Sequence, residues 1–358
     1  MKKFNYAITL FMLLAITACS ENNPSAKAEE VYLQGFTMGT TYNIKVIIKP
    51  EVINDVNVNP EANTSITHKT FDKQQTQTDI DALLKQLNNE MSTYIPDSEL
   101  SVFNQSSSLN PIEISAGLQR VITEALRLGK LSEGKLDVTV GPLVNLWGFG
   151  PEYKPEMIPT ATTIESTRAR IGLNKLQLKG NQLSKNIPNL YVDLSTIAKG
   201  YGVDLVAEYL ESIGINNYLV EIGGEMRIKG FKHTGELWHV AIEKPITKER
   251  TVQQVIVPKN NAVATSGDYR NYIEVEGQRY SHIIDPATGK PINHKLVSVT
   301  VIHPSSMTAD GLSTALMVMG EEQAMAFATK HDIAAYIISK TEDGFKEQIT
   351  VKFMPYLK

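Results

Sequence analysis

The chain has 358 residues, with 35 Lys and Arg against 39 Asp and Glu, for a formal charge of −4. Hydrophobic residues make up 42% of it, enough for a substantial core in one large domain or two small ones. The slightly acidic balance, with no basic tract interleaved with aromatics, argues against a nucleic-acid partner.

Met1-Lys2-Lys3 is a short basic start, followed by an apolar run from Tyr6 to Ile16. That run is too short to span a bilayer comfortably and matches the apolar region of a secretory signal. It ends at Ile16-Thr17-Ala18-Cys19, the pattern of a bacterial lipoprotein box, and Cys19 is the chain's one cysteine. An internal disulfide is therefore excluded. The reading is a lipoprotein signal peptide over residues 1–18, with Cys19 as the acylated first mature residue. Several acyl chains anchor stably where one is marginal. An ordinary signal peptide with an incidental cysteine is the alternative. The expected place is the periplasmic side of the envelope, lipid-anchored. Ser20 leaves the choice of inner or outer membrane open, leaning to the outer. Residues 19–34 read as a tether, small, polar or charged from Glu21 to Glu30.

Thr41 to Ile48 alternates as a strand. Before it, Met38-Gly39-Thr40-Thr41-Tyr42 holds a glycine that marks either a plain turn or a close approach of backbone to ligand. Residues 49–77, rich in Asn, Thr, Gln and Val, read as an inserted exposed loop, with a partner-docking arm as the functional alternative. Asp79 to Met91 has the spacing of an amphipathic helix. It leads to a turn at Pro96-Asp97, where Tyr94 is placed either to stack on a planar ligand or to be a structural tyrosine. Ser115 caps a helix that runs to about Ser132, with Gly134 as its stop. The apolar, glycine-rich, aromatic stretch from Asp137 to Gly150 suits either a pocket wall for a flat ring or a core corner. Thr162 to Ile171 reads as a shorter helix.

Asp193-Leu194-Ser195-Thr196-Ile197-Ala198-Lys199-Gly200-Tyr201-Gly202 is the most informative stretch. It sets a carboxylate, two hydroxyls and a lysine at the mouth of a helix predicted over Ser195 to Ile213. A lysine beside a helix N-terminus suggests phosphate. Strands follow at Tyr218 to Ile222, Trp238 to Glu243 and Val252 to Val257, with a hairpin turning at Glu276-Gly277. Glu221-Ile222-Gly223-Gly224-Glu225 closes the first of these, its paired glycines allowing a close approach. Neither a G-x-G-x-x-G nor a Walker-type loop occurs. A Ser-His-Asp hydrolase built on Ser266 is rejected for want of a G-x-S-x-G elbow.

Of seven histidines, His282 alone sits between a predicted strand and a tight Asp285-Pro286 turn. Its bland alternative is a satisfied structural histidine. In the helix Thr308 to Met319, Asp310 and Thr314 are four residues apart and face one side, with Ser313 beside them. A carboxylate and hydroxyls on an otherwise Ala/Leu/Met helix suggest a hard cation, which prefers oxygen ligands. A helix from Glu321 to about Lys330 and strands at Ile333 to Ser339 and Ile349 to Phe353 finish the chain. Helices and strands alternate irregularly, so the fold class is α+β: mixed α/β layers with a β-rich part.

Taken together, these blocks resemble the ApbE family of bacterial flavin transferases, from Gly35 to about Gly320. The most specific parts are Met38 to Tyr42, Asp137 to Gly150, Asp193 to Gly200, Ser281 to Gly289 and Thr308 to Gly320. The resemblance implies an ApbE-like, T-fold-related architecture spanning 35–358. It also implies an Mg²⁺-dependent FAD:protein FMN transferase. Such an enzyme cleaves FAD, attaches FMN through a phosphoester to a Thr or Ser hydroxyl of an acceptor protein, and releases AMP. Acceptors would be redox-complex subunits with a motif ending around Ser/Thr-Ala-Thr. By resemblance, Met38, Tyr94, Asp137, Asp193, Lys199 and Ile284 would line the FAD site. Thr196, through its backbone oxygen, would join Asp310, Ser313 and Thr314 around the metal, and His282 sits where the family places a proposed base. The rival readings are an FAD pyrophosphatase yielding FMN and AMP, and a non-catalytic flavin-binding lipoprotein.

Overall fold

In a computed structural model of the chain, the described residues are 28–48, 71–151, 158–246, 251–268, 272–275 and 278–358. Cys19, the signal segment, most of the expected 49–77 insertion and the expected turn at Glu276-Gly277 lie outside them.

The centre is an eight-stranded sheet whose order in space is its order in sequence. Its strands are β1 (Glu29–Thr37), β2 (Thr40–Ile48), β3 (Tyr218–Ile222), β4 (Glu225–Lys229), β5 (Ala262–Gly267), β6 (Leu296–His303), β7 (Ala334–Thr341) and β8 (Gly344–Ile349). Every neighbouring pair is antiparallel. β1 and β2 turn on Met38 and Gly39, at φ 50° and 71°. Two left-handed residues give the hairpin turn whose twist matches the strands it joins.

Between β2 and β3 the chain lays down α1 (Lys73–Met91), α2 (Glu99–Gln105), α3 (Ala116–Leu131), α4 (Gly141–Leu146), α5 (Ala161–Arg168) and α6 (Ala198–Ser212). Between β6 and β7 come α7 (Ser306–Met319) and α8 (Glu321–Lys330). On one face of the sheet, Ala264, Val299, Val301, Ala335 and Ile337 pack with Ala309, Leu312, Ala315 and Leu316 of α7. On the other face, Val263, Ile302, Ala334, Tyr336 and Ile338 pack with Phe353 and with Trp238, Val240 and Ile242 of a separate hairpin. β6 and β7 are thus buried on both faces, which is why β7 reads as a near-continuous apolar run over Ala334–Ile338, while β6 places the buried Ser298 and Thr300 between its valines. The α+β expectation matches this antiparallel sheet with its helices. Among the described residues no helix is long and apolar enough to cross a membrane.

Several boundaries move, each for a local reason. β1 begins at Glu29, so residues 29–34 of the expected tether are strand. α1 begins at Lys73 because the Asp72 carboxylate accepts from the Gln75 amide, so residues 73–77 of the expected loop are helical. α6 begins at Ala198 rather than Ser195, because Asp193 Oδ1 captures the Ser195 amide at 2.9 Å and holds a turn there. The expected strand at Ile349 to Phe353 instead ends at Ile349. Tyr272–Val275 and Gln278–Ser281 pair antiparallel around the expected hairpin turn.

Candidate active site

The site gathers where the N-terminal turn of α6 meets the first turns of α7. The contact depends on Gly200: a Cβ there would lie 2.4 Å from the Ser306 carbonyl oxygen and 2.8 Å from Asp310 Cβ. Without it the helices close until the Gly200 amide donates to Asp310 Oδ2 at 2.9 Å. α6 has no side-chain cap of its own, so Asp310 supplies an acceptor for one of its unpaired amides. α6 returns the contact. Its fully buried Asp204 accepts from the Ser306 amide at 2.9 Å, the Met307 amide at 3.0 Å and the Ser305 hydroxyl at 2.7 Å. Arg227 of β4 donates to the same carboxylate at 3.0 Å. The two helices therefore cap each other, which fixes Lys199 on one relative to Asp310, Ser313 and Thr314 on the other.

Lys199 projects between two buried carboxylates. Its Nζ lies 2.7 Å from Glu225 Oε2 and 3.9 Å from Asp310 Oδ1. Glu225 opens β4 directly after the Gly223-Gly224 turn. Gly223 has φ 59°, and a Cβ on it would lie 3.4 Å from Lys199 Cδ, so the turn wraps the lysine stem. Burial pushes the Lys199 ammonium down, but Asp310 and Glu225 more than offset this and hold it above the ordinary lysine range. Burial pushes Glu225 up to about 7, with Lys199 opposing and Asp310 adding to the rise. Burial likewise raises Asp310, against the pull of Lys199 and the Gly200 amide.

A row of hydroxyls adjoins this charge cluster. Ser266, on β5, lies 2.8 Å from Ser313 Oγ and 3.2 Å from Thr314 Oγ1, and Ser313 donates to the Asp310 carbonyl at 2.9 Å. Thr196 Oγ1, in the turn entering α6, is buried without a hydrogen-bond partner among the described residues. The Asp310 carboxylate and the three neighbouring hydroxyls make an all-oxygen set, which suits a hard divalent cation. Among the described residues no group of three His, Cys, Asp or Glu side chains forms a metal cluster.

The expected flavin-site residues approach from several elements. Met38 reaches α6, where a Cβ on Gly202 would meet its Cε at 3.1 Å. Tyr94 is largely exposed, and its hydroxyl is pushed up by burial and then by the charge of Asp193. Asp193 is buried, and burial raises it against the Ser195 hydrogen bonds. Its backbone is pinned on two sides. Its own amide donates to the Val138 carbonyl at 2.7 Å, and the preceding Val192 exchanges two 2.8 Å hydrogen bonds with the Asn104 side chain at the end of α2. A Cβ on Gly141 would lie 3.1 Å from Asp193 Cβ, so the Asp137 to Gly150 block packs directly on the Asp193 block.

The same block also meets the histidine block. Trp147 stacks on Tyr280 at 5.6 Å and donates to the Gly289 carbonyl at 2.9 Å, and the Phe149 ring lies 6.3 Å from His282. Asp137 turns its carboxylate onto the Thr139 amide and hydroxyl, at 2.8 and 2.6 Å. Ile284 points into a satellite core with Leu143, Trp147, Ile164 and Ile171. The side chains of Asp137 and Ile284 thus have structural partners. A separate cavity of about 320 Å³, lined by Trp147, Ile164, Arg279, Tyr280 and Lys290 among others, contains none of the expected site residues.

Two residues join the cluster that sequence reasoning did not place in it. Glu225 reads in the sequence only as the tail of a glycine turn. Its signal is an acid at the first position of a strand whose side chain must enter the core. The threonine-serine-glycine setting of Ser266 carries no trace of its contact with α7.

Comparison with known proteins covers almost the whole chain. The profile of the ApbE family matches residues 38–337. A Vibrio cholerae protein named FAD:protein FMN transferase is 53% identical over 353 residues, 99% of each chain. A Haemophilus influenzae protein of the same name is 48% identical, over 94% of this chain and 93% of its own. Among solved structures, the flavin transferase ApbE from Vibrio cholerae superposes with a TM-score of 0.82 at 54% identity, covering 92% of this chain and all of its own. The apo form of a Pseudomonas stutzeri flavinyl transferase ApbE gives 0.81 at 36% identity, over 92% of this chain and 98% of its own.

Proposed function

We propose that this chain, which belongs to the ApbE family, is an FAD:protein FMN transferase. The observation that carries the reading is its 53% identity, over 99% of both chains, to a relative of that name. The acceptor hydroxyl attacks the phosphorus of the FMN half of FAD. The new P–O bond forms as the pyrophosphate bond breaks, AMP leaves, and the hydroxyl proton passes to a base. No protein nucleophile is needed.

The residues divide this work by their chemistry. Lys199, held charged by its two carboxylates, brings positive charge to the pyrophosphate. Met38, Tyr94 and Asp193 bind the rest of FAD, and the Asp137 and Ile284 segments contribute through backbone and packing. His282 accepts the acceptor proton, help worth about 10²–10⁴-fold. Asp310, Ser313 and Thr314 would hold Mg²⁺ together with the Thr196 carbonyl, a reading supported for the first three by their all-oxygen chemistry. When bound, Mg²⁺ neutralises charge on the phosphate oxygens. The acceptor presents a Ser/Thr-Ala-Thr-type motif, and Cys19 carries the lipid that keeps the enzyme on the periplasmic side of the envelope.

The test incubates the protein with FAD, Mg²⁺ and an acceptor domain bearing that motif. Flavin fluorescence on the denatured acceptor, with one AMP per flavin, is expected. His282→Ala should slow single-turnover transfer by about 10²–10⁴-fold and leave FAD affinity within a few-fold. Free FMN with an unlabelled acceptor would establish the pyrophosphatase instead. Loss of membrane fractionation in Cys19→Ala tests the anchor.

A further inference from the structure

Glu225 lies outside the set that the family resemblance implies, yet it makes the shortest contact of the charge cluster. It is 3% exposed, and the Lys199 ammonium stands 2.7 Å from it against 3.9 Å from Asp310. Asp310 uses Oδ2 for the Gly200 amide, which leaves Oδ1 as its oxygen toward Lys199. An ammonium–carboxylate bond is normally about 2.7–2.9 Å, so a shift of about 1 Å would bring Lys199 onto Oδ1. What opposes that shift is Glu225, and the Gly223-Gly224 turn sets Glu225 and the lysine stem side by side.

We infer that Glu225 is a positioning residue that holds the Lys199 ammonium off Asp310, leaving Asp310 Oδ1 open to a divalent cation. The inference rests on the proposed metal role of Asp310. Two positive groups cannot share one carboxylate oxygen without cost, because like charges about 4 Å apart repel. With Glu225 neutral, Lys199 falls back onto Asp310 and competes with the cation. With Lys199 absent there is no competitor, and Glu225 matters little for the cation. Glu225 in this role touches neither cation nor FAD.

The experiment measures Mn²⁺ affinity by electron paramagnetic resonance, without FAD, in the full-length protein and in Glu225→Gln, Lys199→Met and the double variant. Thermal melting shows that each is folded, and Glu225→Asp serves as the conservative rescue should the glutamine variant melt early. Glu225→Gln should weaken Mn²⁺ about tenfold with Lys199 present and less than about threefold in the Lys199→Met background, with Glu225→Asp close to wild type. Lys199→Met alone should tighten Mn²⁺. Unchanged affinity in Glu225→Gln, or an equal loss in both backgrounds, overturns the positioning role. FMN transfer by the wild-type protein, assayed beside it, reports on the functional reading independently.

Discussion

The amide of Gly200, in the first turn of α6, donates to the Asp310 carboxylate of α7 at 2.9 Å across a contact that leaves no room for a side chain. Gly200→Ala should therefore part the two helices, because the clash is with the Ser306 backbone and not with a flexible side-chain end. Overpacking of this kind costs about 1–3 kcal/mol. The expected outcome is a folded protein of lower denaturation midpoint whose FMN transfer is lost by far more than its stability. Wild-type transfer in Gly200→Ala would show that the helix spacing does not set the site.

Asp204 is the reciprocal contact. Removing it leaves the first amides of α7 and the Arg227 guanidinium without their shared acceptor. Capping and charged hydrogen bonds together put the cost of Asp204→Ala at about 3 kcal/mol. Urea unfolding should show this loss, with Asp204→Asn retaining part of the capping. A destabilisation under about 0.5 kcal/mol would mean that the caps are replaced by water.

Asn104 holds the irregular segment entering Asp193 through its paired hydrogen bonds to Val192. The neighbouring buried Lys185 Nζ adds a bond to the Phe103 carbonyl at 2.9 Å, so the end of α2 clamps this segment. Asn104→Ala should cost about 1–3 kcal/mol and weaken FAD binding measured by flavin fluorescence. Its maximal transfer rate at saturating FAD should stay near wild type. A reduced maximal rate with unchanged FAD affinity would contradict this.

His303 supplies a pH dependence. Burial lowers it from 6.5, and its Nδ1 accepts the Ser305 amide at 3.0 Å, which requires that nitrogen to be unprotonated. Glu124, Asp204 and the Ser305 carbonyl favour its charged form, Arg127 opposes it, and burial prevails. A depressed histidine contributes stability that is present above its unfolded value of 6.5 and is lost as pH falls through the folded one. The thermal unfolding midpoint of the wild type should thus decline below about pH 6.5. His303→Gln should show a shallower decline over that window. Parallel pH profiles would exclude the histidine as its source.

The sequence by itself determined the secondary structure of the strongly periodic segments and the residue types available to the site. The helices at Asp79 to Met91 and Thr308 to Met319 were legible because periodicity is a local property, and Asp310, Ser313, Thr314 and Lys199 stood out by residue type alone. The strands Glu225–Lys229 and Leu296–His303 were not read although both alternate polar and apolar residues, and Ala262–Gly267 was not because its Ala-Val-Ala-Thr-Ser-Gly carries little alternation. Only the tertiary structure decided which groups meet. Glu225 reaches Lys199 because β4 follows β3 beside the N-terminus of α6, and Ser266 reaches Ser313 because β5 runs beneath α7. These are distances set by sheet order and helix spacing, and no window of sequence contains both partners. The same holds for Asp204 and Asp310. Each reads locally as a lone acid in an apolar helix, and each becomes a cap only when the glycine between their helices lets the backbones touch.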